Sequence, residues 1–175
     1  MLSSFIDICE QEGYVKPTVY EGIYNILDRR HENKVLDIVR KHGMQFVAHS
    51  PNASGFLRGS LTTGQVEGTR FAEGNIMSID ARRYDIDTHH EAVRFLDKTL
   101  EPHGILKPEA SLRWLAFHSK LTPDDAIIFG SSKLDQIKQN VAAVGKGPLP
   151  DDVVAALNGI WETVKDKSPR MPQGI

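Results

Sequence analysis

The chain has 175 residues, 40% apolar and 25% charged, enough for one ordinary domain with a real hydrophobic core. Its formal net charge of −2 excludes bulk attraction to nucleic acid or to an anionic membrane, and neither is expected as a partner. The single cysteine, Cys9, excludes an internal disulfide and fits a reducing compartment, and no apolar run approaches the length of a membrane span.

The opening MLSSFIDICEQEG lacks a basic stretch ahead of its apolar residues, so it does not read as a secretory signal, and a cytoplasmic location is expected. It reads as a short helix with Phe5, Ile8 and Cys9 at helical spacing and Gly13 as its stop. YVKPTVYEGIYN follows, with Val19, Tyr20, Ile23 and Tyr24 suited to a strand and Pro17 near its start. RRHENKVLDIVRKHG carries the stripe Val35, Leu36, Ile38 and Val39 of a second helix, with basic residues in its last turn and Gly43 at its end. MQFVAHS is a second strand that runs into PNASGFLRGS.

From Thr62 to Tyr84 the chain is polar, with Gly64, Gly68 and Gly74, and reads as a long loop. HHEAVRFLDKTLEPHG is helical, with Val93, Leu96 and Leu100 on one face; KPEASLRWLAFHS is another helix, with Pro108 in its first turn. AIIF is a third strand and KLDQIKQNVAAVG the helix after it. In PDDVVAALNGIWETVKDK, Val153, Val154, Leu157, Ile160, Trp161 and Val164 share one face. Strands alternating with helices predict an α/β fold with parallel strands and right-handed crossovers. A closed barrel and a doubly wound sheet both fit this pattern, and both place ligands at the carboxyl ends of the strands.

Two strand ends are unusual. Small residues crowd SPNASGFLRGS, where a backbone can approach a ligand closely and aim N–H groups at it, although an ordinary surface loop has the same composition. After AIIF come Gly130, Ser131, Ser132 and Lys133 at the start of a helix. Unpaired amides, the positive helix end, hydroxyls and a lysine there would form a phosphate site; the plain alternative is a serine N-cap. Gln136 and Asn140 lie four apart on one face of that helix. The seven histidines are scattered without metal-ligand spacing, and Asp124-Asp125 reads as a turn.

YVKPTVYEGIYN, VAHSPNASGFLRGSL, LRWLAFHS, AIIFGSSKLDQIKQN and GPLPDDVVAALNGIW, in this order and spacing, resemble the C-terminal half of an aldo-keto reductase, in the branch that holds the aflatoxin-aldehyde reductases. The resemblance runs from about residue 4 to residue 165. It implies the C-terminal part of a (β/α)8 TIM barrel, with the three strands as the sixth, seventh and eighth, the barrel not closed, and residues 1–175 forming one partial domain. It also implies NADP(H) as cofactor and a small aldehyde or ketone as substrate.

Residue by residue, the resemblance places Glu21 where the family usually has a glutamine on the nicotinamide carboxamide. His49 stands where a ring, usually tyrosine, stacks on the nicotinamide. Ser50, Pro51, Asn52, Ala53 and Ser54, continuing through Gly55, Phe56, Leu57, Arg58 and Gly59, match the loop that covers the pyrophosphate. Arg70 resembles an arginine that reaches the cofactor. Gly130, Ser131, Ser132 and Lys133 match the hold on the 2′-phosphate, and Gln136 and Asn140 match contacts to that ribose phosphate and to adenine.

There are departures. An ionised Glu21 accepts from an amide NH₂ but cannot donate to its carbonyl. His49 offers less stacking surface, and Asn52 and Arg58 replace a more usual leucine and threonine. The family's proton-donating tyrosine, with its aspartate, lysine and histidine, comes from the first half of the barrel. Tyr14, Tyr20, Tyr24 and Tyr84 have no matching context, so no catalytic residue is expected here. The expectation is an aldo-keto reductase homologue that is truncated and inactive alone; the alternative is a non-catalytic NADP(H)-binding or interaction subunit. Three strands leave two open edges, which invite self-association.

Overall fold

The sequences VYEGI and QFVAH become the two longer strands of a parallel sheet, β1 (Val19–Ile23) and β2 (Gln45–His49), joined by the very short β3 (Ala126–Ile127) in the order β1-β2-β3. The structure is a computed structural model that describes residues 1–75, 82–131 and 133–167. The register pairs Glu21 with Val47, Gly22 with Ala48, Ile23 with His49, and Ala48 with Ile127. AIIF was expected to be strand throughout; only its first half pairs as strand, and one further bond runs from Ile128 N–H to the Ala48 carbonyl at 2.9 Å.

The helices among the described residues are α1 (Leu2–Glu12), α2 (Val35–Lys41), α3 (Ser60–Thr63), α4 (Asp87–Leu100), α5 (Lys107–Phe117), α6 (Leu134–Gly145) and α7 (Asp151–Val164). Gly13 ends α1 with φ of 69°, a conformation that glycine adopts without strain. Among the described residues, no helix is long and apolar enough to cross a membrane.

Strand alternation gives the sheet two different faces. Phe46 and Ala48 are fully buried and join Leu36 and Val39 of α2 and Trp114 and Leu115 of α5 in the hydrophobic core. Gly22 lies on that face because there is no room for more: a Cβ there would sit 2.9 Å from both His31 and Phe46. On the other face Glu21 is exposed, Ile23, Val47 and His49 are half-buried, and Val19 and Ile128 remain 48% and 50% exposed. The sheet is therefore an open one, covered on one side.

An anchor that the sequence did not announce holds β3 in place. The side chain of Asp125 is completely buried and accepts from the Arg40 guanidinium at 2.8 Å, from Phe46 N–H at 2.8 Å and from Thr122 N–H at 2.7 Å. Gln45 adds a bond from its side-chain amide to the Asp124 carbonyl at 2.7 Å. What reads as a turn is thus the clamp that fastens the start of β3 to β2.

Two helices leave apolar side chains exposed. In α1 the buried residues are Ile6 and Cys9, while Phe5 and Ile8 are 56% and 51% exposed. In α6 the stripe Leu134, Ile137 and Val141 is 65%, 41% and 61% exposed, while Asn140 and Ala143 are buried. These stripes belong to the helix that precedes β1 in the chain, which packs on α2, and to the helix that follows β3, which packs on α5. The polar stretch after β2 is more structured than a plain loop: it begins with α3, and Phe71 and Tyr84 are buried in the core cluster.

Candidate functional site

The site is built on the C-terminal ends of β2 and β3. At the end of β2 the backbone turns left-handed repeatedly: φ is 55° at Ser50, 49° at Ala53, 55° at Ser54, 91° at Gly55 and 87° at Gly59. Three of these five residues carry a Cβ, and such strain persists only where the surroundings impose it. The surroundings are identifiable. Asn25 Nδ2 donates to the Ser50 carbonyl at 3.0 Å, and Ser111 Oγ donates to the Pro51 carbonyl. The Asn52 carbonyl accepts from Gly55 N–H at 2.9 Å and from Leu57 N–H at 3.3 Å. Phe56 stacks on Tyr84 at 6.0 Å and meets Phe71 at 6.5 Å.

Pro51, Ala53, Phe56, Leu57 and Gly59 are all buried, whereas Ser50, Asn52, Ser54 and Gly55 are half-buried and Arg58 is exposed, so the accessible surface of the loop comes from these last five residues. Asn52 Oδ1 is buried without a hydrogen-bond partner, an acceptor waiting for a donor. Arg58 is exposed and lines a cleft of about 470 Å³ with Lys107, Asp97 and Glu101 at the end of α4 and the start of α5. Arg70 is exposed next to Phe71, whose ring braces the loop.

At the end of β3, exposed Gly130 leads to Ser131, whose Oγ bonds the Gln136 side chain and accepts from Lys133 N–H at 3.4 Å. Lys133 is exposed and caps α6 from an extended backbone, so the first amides of that helix open toward the rim. Gln136 is half-buried and tied to Ser131, whereas Asn140, one turn further along the helix, is only 6% exposed. Ser132 lies outside the described residues. Because β2 and β3 are parallel neighbours, the two loops leave the sheet at the same end, separated by about one strand spacing of ~4.8 Å at their roots.

Glu21 and His49 lie on the open face of the sheet near the same rim. The His49 ring is held by a 3.1 Å contact between its Nδ1 and Ser50 Oγ. Burial pushes its pKa below the usual histidine range; the Glu21 charge opposes that shift, and Arg83 adds to it.

Sequence reasoning missed the supports of the loop: Asn25, Ser111 and Tyr84. Asn25 and Ser111 are fully buried polar residues, and a polar residue inside an apolar stretch (YNIL and ASLRW) was the only signal available. The phenols are poorly placed for proton transfer. Burial raises the pKa of Tyr20; burial together with the Glu32 carboxylate, which accepts the Tyr24 hydrogen bond at 2.6 Å, raises that of Tyr24. Burial also raises that of Tyr84. Among the described residues, no group of three or more His, Cys, Asp or Glu side chains gathers to hold a metal ion.

A sequence profile described as the Aldo/keto reductase family matches residues 3–162. The chain is 36% identical over 172 residues to aflatoxin B1 aldehyde reductase member 2 of Rattus norvegicus, covering 93% of this chain and 47% of that protein. It is 34% identical to human aldo-keto reductase family 7 member A3, covering 93% and 52%, and 31% identical to an aldo-keto reductase of Pseudocercospora fijiensis, covering 94% and 57%. It spans about half the length of the curated relatives it matches.

Proposed function

The chain belongs to the aldo/keto reductase family, and on that premise we propose that it is the dinucleotide-binding part of an NADP(H)-dependent carbonyl reductase. In this reading β1, β2 and β3 are the sixth, seventh and eighth strands of a (β/α)8 barrel, residues 1–175 are one partial domain, and the protein works in the cytoplasm. The substrate class is a small aldehyde or ketone, in keeping with relatives named aldehyde reductases.

The observation that carries the reading is the shared rim. A left-handed backbone loop with an orphaned acceptor and a helix start capped by lysine leave neighbouring parallel strands at one end. Turns in which right-handed and left-handed residues follow one another can gather N–H groups around an anion, and a helix N-terminus favours a phosphate. The backbone of residues 50–59 would lie against the pyrophosphate. Asn52 Oδ1 would accept from a ligand hydroxyl or amide. Ser132 and Lys133, at the Gly130-Ser131 turn, would hold the 2′-phosphate, Gln136 would contact that ribose phosphate, and Asn140 would face adenine with what little of it is exposed. Arg70 would approach from the following segment, and Arg58 from the cleft beside Lys107. Glu21 and His49 would meet the nicotinamide end.

When bound, NADP(H) supplies or accepts the hydride. For the proton, three phenols of the described residues, Tyr20, Tyr24 and Tyr84, are poor donors, since burial moves their pKa further from neutrality. The chain by itself therefore binds rather than reduces, and another polypeptide segment supplies the acid. Titrating NADPH fluorescence with the protein should give saturable quenching. Lys133→Ala should weaken that binding by at least about tenfold, the usual cost of losing a charge-assisted phosphate contact. No binding of the wild-type chain at millimolar NADPH would overturn the reading.

A further inference from the structure

We propose that Glu21 makes the ring end of this site prefer the oxidised dinucleotide, with His49 beside it as the stacking surface. The inference rests on the binding rim described above and adds a direction to it. The phosphate-type features sit at the ends of β3 and β2. In the strand order β1-β2-β3, a ligand laid across them from its 2′-phosphate must point its other end toward β1. The polar side chains waiting there are Glu21 and His49. Glu21 pairs with Val47 and Ile23 with His49, so these four side chains share the open face of the sheet, opposite Gly22 and Ala48.

The two forms of the dinucleotide differ where this face would meet them. The oxidised nicotinamide ring carries a positive charge and the reduced ring carries none, while every phosphate and sugar is the same. A hydrogen bond from the carboxamide NH₂ to Glu21 serves both forms alike, so the fixed charge makes the distinction. Glu21 is exposed and, among the described residues, takes part in no ion pair, so its charge is not spent on a protein partner. His49 is half-buried, and that burial lowers its pKa, which disfavours a positive charge on the ring against the nicotinamide. Arg83 also acts on His49 and offsets Glu21 in part; Asp28 acts there too but is paired with Arg30. A partly solvated carboxylate a few ångströms from a cationic ring corresponds to a preference of about fivefold, shrinking as salt is added.

The test is calorimetric titration of the full chain with NADP⁺, NADPH and adenosine 2′,5′-bisphosphate, which has no nicotinamide. The wild-type chain should bind NADP⁺ about fivefold more tightly than NADPH. Glu21→Gln should bring the ratio close to one by weakening NADP⁺ alone, and Glu21→Lys should invert it. The bisphosphate should bind all three proteins equally. A ratio unchanged by Glu21→Gln, or a wild-type preference for NADPH, overturns the inference. So does bisphosphate binding that neither dinucleotide improves upon, which would leave the phosphate rim standing without the ring end. If none of the three ligands binds the wild-type chain, the binding rim itself fails and this inference with it.

Discussion

Asp125 shows how much a single side chain can carry in a sheet whose third strand has two residues. Its carboxylate meets Arg40, 85 positions away in sequence, together with two backbone amides on different segments. Burial alone would raise its pKa; the Arg40 guanidinium and the amides of Thr122 and Phe46 prevail and hold it below the usual carboxylate range. A folded-state value below the unfolded one gives stability that is complete above about pH 4 and fades as the pH falls through the folded value. Asp125→Ala should cost about 2–3 kcal/mol at neutral pH in urea unfolding, because Phe46 N–H, Thr122 N–H and Arg40 lose their acceptor. The variant should also lose less further stability than the wild type below pH 4. Equal acid slopes for the two proteins would contradict this assignment. Periodicity located Cys9 and the Gly13 stop, which act locally or through hydrophobic burial. It said nothing of Arg40–Asp125, because a pair that distant leaves no local pattern.

Helix α6 is the element that departs most from its sequence pattern. Its position was legible from GSSK after AIIF, but the face it buries was not, because the partner of that face is distant in the chain. That face is polar and small, Asn140 and Ala143, while Leu134, Ile137 and Val141 stand exposed. α1 likewise leaves Phe5 and Ile8 outward. Amphipathicity reports what a helix faces in its complete setting, and here apolar side chains on two helices stay in solvent. Such surfaces associate in water. Light scattering should show mass rising with protein concentration, and Ile137→Glu combined with Val141→Glu should shift the distribution toward monomer. A monodisperse monomer at every concentration, with no change in the variant, would count against this account of the α6 face. The loop after β2 was partly legible: its small residues indicated close approach of the backbone, but not that Asn25, Ser111 and Phe56 hold it in its left-handed course.

At the scale of the whole molecule, the α/β alternation and parallel strand order followed from the sequence, and the family follows from a match across residues 3–162. Membership alone does not say what half a relative's length retains. The sheet topology gives that question physical form, because parallel neighbours bring segments some eighty residues apart in the chain to one rim. The central claim is that a single dinucleotide touches both loops on that rim. Hydrogen exchange followed by mass spectrometry, with and without NADPH, tests it most directly. The account predicts that amides in residues 52–59 and in residues 133–137 slow together on adding NADPH, and that Lys133→Ala abolishes both effects at the same ligand concentration. Protection of only one of these loops, or of neither while NADPH is bound, would contradict it.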